Sequence, residues 1–128
     1  MRALLDTHAL LWFVLNNPRL SPIARAVIAN PANDLLVSPA SYWEIAIKIN
    51  IGHYILAQTY DDFMDRAING NNFAILPIEP RHTSALTTLP RHHNDPFDRL
   101  MIAQAIVEGI PLISVDAKFD LYPITRLW

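Results

Sequence analysis

The stretch RALLDTHALLW, residues 2–12, contains the pattern that decides the fold. The continuous apolar run in Arg2–Leu5 predicts a short buried strand, which ends at Asp6 and Thr7. The following residues, His8 to Leu15, have the pattern of a helix. A buried strand followed directly by a helix is the repeating unit of a parallel sheet.

The same alternation continues along the chain. Helices are predicted to start at two Ser-Pro pairs, since serine is a good N-cap and proline suits the first helical position. The predicted helices after the first one begin at Ser21-Pro22, Ser38-Pro39, Thr59, Pro80 and Pro96, the last two ending near Leu89 and Glu108. The further predicted strands are Asp34–Val37, Phe73–Ile78, Pro111–Val115 and an edge strand within residues 120–128. The predicted fold class is α/β: a three-layer α/β/α sandwich with a short parallel central sheet, built by residues 1–128 as a single domain.

The composition restricts the class of protein. A hydrophobic content of 52% and a mean hydropathy of +0.17 indicate apolar surface that a partner covers, such as a second subunit or a bound peptide. Trp12, Trp43 and Phe97 are predicted to pack in the core or a dimer interface rather than to stack on bases. The chain has no cysteine, which excludes a disulfide scaffold and makes the cytoplasm the expected location. No apolar run approaches the ~20 residues of a membrane span, so no membrane association is expected.

Four acidic residues stand at the ends of predicted elements: Asp6, Glu44, Asp98 and Asp116. Asp6 and Asp116 each follow a strand, and ligands bind beyond the carboxyl ends of strands in open α/β sheets. Asp98 lies in the first turn of a helix for which Asp95 is the predicted N-cap. These positions predict that distant acids converge at one edge of the sheet.

Converging carboxylates repel one another and raise one another's pKa unless a cation neutralises them. All-oxygen ligation favours Mg²⁺ or Mn²⁺, and the chemistry that such ions support at phosphate is phosphodiester hydrolysis. Glu44 has a structural alternative, because Lys48 stands at i+4 in the favourable order for a surface ion pair.

A cluster of basic residues and histidines precedes and enters the helix that starts at Pro96. It forms either a local RNA-facing patch or a solvated loop, and its members are Arg81, His82, Arg91, His92, His93 and Arg99. His82, His92 and His93 also suggest a zinc site. The absence of an H-E-x-x-H spacing and of cysteine argues against zinc and favours the solvated or RNA-facing loop.

Four blocks in a fixed order resemble one protein family: LLDTHALLW (4–12), SYWEIAIK (41–48), DPFDR (95–99) and SVD (114–116). Over essentially the whole chain they resemble PIN-domain toxins of the VapC type. The resemblance implies a PIN-like fold and a metal-dependent endoribonuclease that acts as the toxin of a type II toxin–antitoxin module. It also implies RNA as substrate, a homodimer, and a small antitoxin whose C-terminal peptide lies across the active site.

The resemblance assigns roles to individual residues. The catalytic and metal-binding acids are Asp6, Glu44, Asp98 and Asp116, and the supporting residues are Thr7 and Ser114. Arg99 and Lys48 are candidate contacts to a substrate phosphate or an antitoxin carboxylate, with a surface ion pair as the alternative for Arg99. Asp120 is close enough to Asp116 in sequence for its role to stay open.

Two other functions fit parts of the pattern. A haloacid-dehalogenase-like phosphatase also has an aspartate after its first strand, but His8 stands where that family needs a second acid. A PIN-like module that has lost its chemistry and only binds a partner is the other alternative. The presence of all four acids argues against it.

Overall fold

The computed structural model describes all 128 residues, Met1 to Trp128. The strands are β1 (Arg2–Leu5), β2 (Asp34–Val37), β3 (Ala74–Ile75), β4 (Leu112–Ile113) and β5 (Arg126–Leu127). The helices are α1 (Thr7–Val14), α2 (Pro22–Ala29), α3 (Pro39–Asn50), α4 (Tyr60–Ile68), α5 (Pro80–Leu86) and α6 (Pro96–Glu108), with a 3₁₀ helix over Ala117–Leu121.

The five strands form one parallel sheet in the order β3-β2-β1-β4-β5. In the centre, Leu5 at the end of β1 is in register with Val37 of β2 and Ile113 of β4. Because every strand runs in the same direction, the residues that follow β1 and β4 emerge at the same edge. The central strand thus places Asp6 beside the segment that contains Asp116.

Helices cover both faces of the sheet. Along β1, Ala3 and Leu5 belong to one core cluster and Leu4 to the other, as the two-residue period of a strand requires. The first cluster includes residues of α1, α2 and α4, and the second includes residues of α6 and of the segment around the 3₁₀ helix. Leu4 and Leu5 are completely buried, and burial of such a side chain contributes about 1.5–3 kcal/mol. The predicted three-layer α/β fold class is confirmed.

Several elements are shorter than the sequence pattern predicted, and prolines explain two of the differences. Strand β3 ends before Pro77, which has no N–H to donate to a ladder. Helix α5 ends at Leu86 rather than Leu89, because Pro90 disfavours helical geometry in the residue before it. The 3₁₀ helix after Asp116 was not predicted. None of the helices is both long and apolar enough to cross a membrane.

Candidate metal centre

The carboxyl edge of the sheet opens into a cleft of about 390 Å³, called the acidic cleft below. Its lining residues are Asp6, His8, Glu44, Lys48, Asp95, Asp98, Val115 and Asp116. The structure therefore brings together all four acids that the sequence singled out, from positions up to 110 residues apart. Five carboxyl groups and one lysine share this small space.

Asp6 is held in place by its neighbours on both sides. It is the N-cap of α1, and its Oδ1 accepts a hydrogen bond from the Thr7 N–H at 2.7 Å. Its Oδ2 accepts a hydrogen bond from the Ser114 hydroxyl at 2.8 Å. Asp6 is only 4% exposed, and burial raises the pKa of its carboxyl above the usual value in spite of these hydrogen bonds.

Ser114 connects two of the acids. While its hydroxyl donates to Asp6, its Oγ accepts a hydrogen bond from the Asp116 N–H at 3.1 Å. Thr7 acts on the cleft through its backbone, because its hydroxyl donates instead to Ser41 Oγ at 3.1 Å. Both predicted supporting residues therefore lie next to the acids, and Ser114 has the more direct contact.

Asp98 enters the cleft from the start of α6. Asp95 caps this helix, as predicted, by accepting hydrogen bonds from the N–H groups of Phe97 at 2.8 Å and Asp98 at 3.1 Å. The Asp98 carboxylate itself accepts no hydrogen bond from the chain. Burial, together with the negative charges of the surrounding carboxylates, raises the pKa of Asp98 to about 8.

Glu44 makes the ion pair that its sequence spacing predicted. Lys48 Nζ lies 2.7 Å from Glu44 Oε2, and Glu44 is 5% exposed. Partial burial opposes the charge on Lys48, but the hydrogen bond and charge of Glu44, together with Tyr54, outweigh it and raise the pKa of the lysine. The ammonium group also lies 5.4 Å from the centre of the Tyr54 ring. Lys48 is thus the single lysine that lines the cleft, and it is already paired.

His93 is a residue of this site that the sequence analysis placed wrongly. It is 8% exposed rather than solvated, and its Nε2 lies 2.8 Å from Asp116 Oδ2. Partial burial opposes ionisation of Asp116, but the hydrogen bonds with His93 and the Lys118 N–H, together with the nearby positive charges, outweigh it and lower the pKa of the carboxyl. The ligand atoms of His93, Asp98 and Asp116 lie within 4.8 Å of one another. The useful signal was its position, two residues before the cap of the helix that carries Asp98.

Two other residues of the predicted basic cluster, His82 and Arg99, are buried and lie outside the acidic cleft. His82 is completely buried and lies 3.2 Å from Glu108, so the three histidines do not meet in a zinc site. Arg99 is 8% exposed and lies outside the acidic cleft. Its guanidinium donates hydrogen bonds to the carbonyl oxygens of Leu89, Pro90 and His93.

Arg99 and Asp120 both make their contacts away from the acidic cleft. Arg99 makes no surface ion pair, and its predicted contact with substrate or antitoxin has no support in this geometry, because all its hydrogen bonds hold the loop before α6. Asp120 makes two hydrogen bonds to Arg126, at 2.9 and 3.1 Å, and does not line the cleft.

The chain has the same fold as known toxin–antitoxin structures. VapBC2 from Rickettsia felis, bound to a DNA fragment from its promoter, matches with a TM-score of 0.71 and 16% identity over 100% of both chains. VapBC-1 from nontypeable Haemophilus influenzae matches with a TM-score of 0.66 and 18% identity over 98% of this chain and 96% of that one. VapBC-5 from Mycobacterium tuberculosis matches with a TM-score of 0.62 and 14% identity over 98% of each chain.

At these identities the structural likeness shows the fold alone. No curated protein sequence matches the chain. The sequence profile of the PIN domain, in contrast, matches residues 3–124, which is nearly the whole length. The chain therefore belongs to the PIN domain family.

Proposed function

We propose that this chain is a Mg²⁺- or Mn²⁺-dependent endoribonuclease, built as a single PIN domain, that acts in the cytoplasm as the toxin of a type II toxin–antitoxin module. The observation that carries the proposal is the acidic cleft, in which five carboxyl groups face one lysine. Such an arrangement is unfavourable for the metal-free protein, and the pKa of about 8 at Asp98 reflects it.

The donor set fits a hard divalent cation. Asp6, Glu44, Asp98 and Asp116 offer oxygen ligands from four separate elements, and the chain has no cysteine that would favour a softer metal. A bound ion of this kind supplies charge stabilisation at a phosphate and a water of lowered pKa.

The surrounding residues keep the acids in position for this role. Ser114 and the Thr7 N–H fix the orientation of Asp6, and Asp95 starts the helix that presents Asp98. Lys48 balances part of the charge of Glu44 and, at the rim of the cleft, offers a cation to a substrate phosphate.

Cleavage of RNA by the purified chain tests the proposal. We expect cleavage of a panel of structured and single-stranded RNAs with Mg²⁺ or Mn²⁺, and none with chelator. Asp98→Asn should lower the rate at least about a hundredfold, because metal stabilisation of charge is worth several kcal/mol. Asp61→Asn is the matched control, since Asp61 is an exposed acid in the first turn of α4.

Two outcomes would contradict the proposal. Cleavage that persists unchanged in Asp98→Asn or in chelator would remove the metal from the mechanism. No cleavage of any RNA by a folded wild-type protein that binds the metal would favour a binding module without nuclease activity.

The antitoxin is proposed to bind along an apolar groove that joins the acidic cleft. His8 lines both the cleft and a groove of about 260 Å³, whose other residues include Trp12, Leu15 and Ile55. Ile55 is 93% exposed, as expected for a surface that a partner covers. A peptide seated there could reach the acids with a basic side chain. Ile55→Asp should abolish co-purification with a small protein encoded next to this chain while RNA cleavage is retained.

A homodimer is proposed to form through α3. Trp43 and Ile47 of this helix and Ile51 at its C-cap are exposed at i, i+4 and i+8, and Trp43 packs edge-on against Phe97 at 5.2 Å. Trp43 is 59% exposed, so it is not a core residue of the monomer. Ile47→Glu should convert the dimer to a monomer in sedimentation measurements, and an unchanged mass would exclude this interface.

A further inference from the structure

We infer that His93 is a positioning residue for the proposed metal ligand Asp116: Tyr122 holds its ring so that Nε2 donates a hydrogen bond to Asp116, and His93 is not itself a metal ligand. This inference rests on the proposed function for the identity of the ligands. The position of the imidazole hydrogen, on Nε2, follows from the hydrogen bonds alone.

The position of His93 is fixed from several directions. Its backbone N–H donates to the Tyr122 hydroxyl oxygen at 2.9 Å, and its carbonyl oxygen accepts a hydrogen bond from Arg99 at 3.3 Å. Its ring lies 4.8 Å from the ring of Phe119, between centroids. A histidine held at its backbone and its ring has little freedom to turn away from Asp116.

The Tyr122 hydroxyl determines which ring nitrogen carries the hydrogen. This hydroxyl makes two hydrogen bonds, both with His93, and Tyr122 is 4% exposed. Because the hydroxyl oxygen already accepts from the backbone N–H, its own hydrogen is left for the ring Nδ1, 3.1 Å away. If Nδ1 carried a hydrogen, the buried hydroxyl hydrogen would have no acceptor, which is costly.

The consequence appears at the other nitrogen. With Nδ1 as acceptor, Nε2 carries the hydrogen and donates it to Asp116 Oδ2 at 2.8 Å. A nitrogen that carries a hydrogen has no lone pair for a metal. The trio of His93, Asp98 and Asp116 is therefore not a mixed nitrogen–oxygen site, and the proposed ligand set stays all-oxygen.

The test combines a spectroscopic assignment with metal affinity, neither of which depends on catalysis. In metal-free, full-length protein labelled with ¹⁵N at histidine, we expect His93 to carry a hydrogen on Nε2 and none on Nδ1, and the same arrangement after the diamagnetic ion Mg²⁺ is added. His93→Ala should weaken Mn²⁺ binding, measured by electron paramagnetic resonance, about tenfold or more, the usual effect of removing a group that orients a ligand. His93→Gln keeps a side-chain N–H donor and should recover most of the affinity.

His92→Ala is the matched control: His92 is adjacent and exposed, contacts the Tyr122 ring edge-on at 5.0 Å between centroids, and has no hydrogen bond to an acid. A hydrogen on Nδ1, or loss of the Nε2 hydrogen on metal binding, overturns the inference. Wild-type affinity in His93→Ala also overturns it, while leaving the proposed function intact. If the wild-type protein does not bind Mn²⁺, the proposed function is refuted, and with it any role of His93 in metal binding. The histidine spectrum still reports which ring nitrogen of His93 carries the hydrogen.

Discussion

Asp116 and Asp98 lie on opposite rims of the acidic cleft, and their surroundings shift the pKa of the two carboxyl groups in opposite directions. Asp116 accepts hydrogen bonds from the Lys118 N–H at 3.0 Å and from His93 at 2.8 Å, and its pKa is lowered. Asp98, on the facing helix, receives no such support, and its pKa is raised to about 8. The protein thus stabilises the charge of one acid by itself and not that of the other, which the proposed cation would neutralise.

The position of Asp98 in the first turn of α6 does not keep its pKa low. An acid in the first turn is normally stabilised by the helix dipole, by about 0.3–1 kcal/mol at an exposed position. Here burial and the charges of Asp6, Asp95 and Glu44 act in the opposite direction and dominate. The raised pKa of Asp98 therefore reflects both its burial and the excess negative charge of the cleft.

The largest expected effect of this difference is on the pH dependence of metal affinity. Because Asp98 has a raised pKa of about 8, it is protonated at neutral pH in the metal-free protein and must lose its proton on binding. We expect the Mn²⁺ affinity to rise by up to about tenfold per pH unit between about pH 6 and pH 8 and then to level off. Electron paramagnetic resonance titrations would measure it.

Asp98→Asn should flatten this pH dependence, whereas Asp61→Asn should leave it unchanged. A wild-type affinity that is constant over the same range would mean that Asp98 is already ionised. In that case the pKa values of Asp98 and Asp116 would not be shifted in opposite directions.

The second effect is on the free energy of unfolding of the metal-free protein, and it has opposite signs for Asp98 and Asp116. The folded protein binds the Asp98 proton more tightly than the unfolded chain does, so this residue lowers stability as the pH rises from about 4 to about 8. Asp98→Asn should therefore stabilise the metal-free protein at neutral pH, by on the order of 1–3 kcal/mol after allowance for its partial exposure.

Asp116→Asn should do the reverse. Its pKa is lowered in the folded protein, so its contribution to stability is present above the unfolded value and is lost as the pH falls through the folded one. Chemical denaturation in chelator, at pH 7 and again near pH 4, would measure both variants. Destabilisation by both at pH 7 would contradict the proposed roles of the two acids.

The sequence predicted much of this site because its acids stand at element ends. A strand followed by an acid, as at Leu5-Asp6, places that acid at the carboxyl edge of a parallel sheet, and the cap at Asp95 places Asp98 in a first turn. These are local patterns, and the parallel order of the strands converts them into a common location. The resemblance to one family then supplied the set of four as a whole.

The contacts made by His93 and Arg99 could not be predicted in the same way. His93 meets Asp116 and Tyr122, which lie 23 and 29 residues later, and neither spacing has a period that a helix or strand would reveal. Arg99 follows Asp98 directly, yet it faces the loop before α6 instead of the cleft. Adjacent residues on a helix point in different directions, so neighbourhood in sequence was misleading for this arginine.

The smallest expected effect concerns Ser114, which connects Asp6 to Asp116. Ser114 is completely buried, donates to Asp6 Oδ2 and accepts from the Asp116 N–H, so Ser114→Ala leaves both without a partner. We expect a loss of about 1 kcal/mol or somewhat more in the free energy of unfolding and a further rise in the pKa of Asp6. Ser41→Ala is the matched control, because Ser41 is equally buried and bonds to Thr7 and Met101 rather than to an acid. Both variants should lose stability, but only Ser114→Ala should weaken Mn²⁺ binding. Equal metal affinity in the two would mean that Asp6 is oriented by its place at the start of α1 alone.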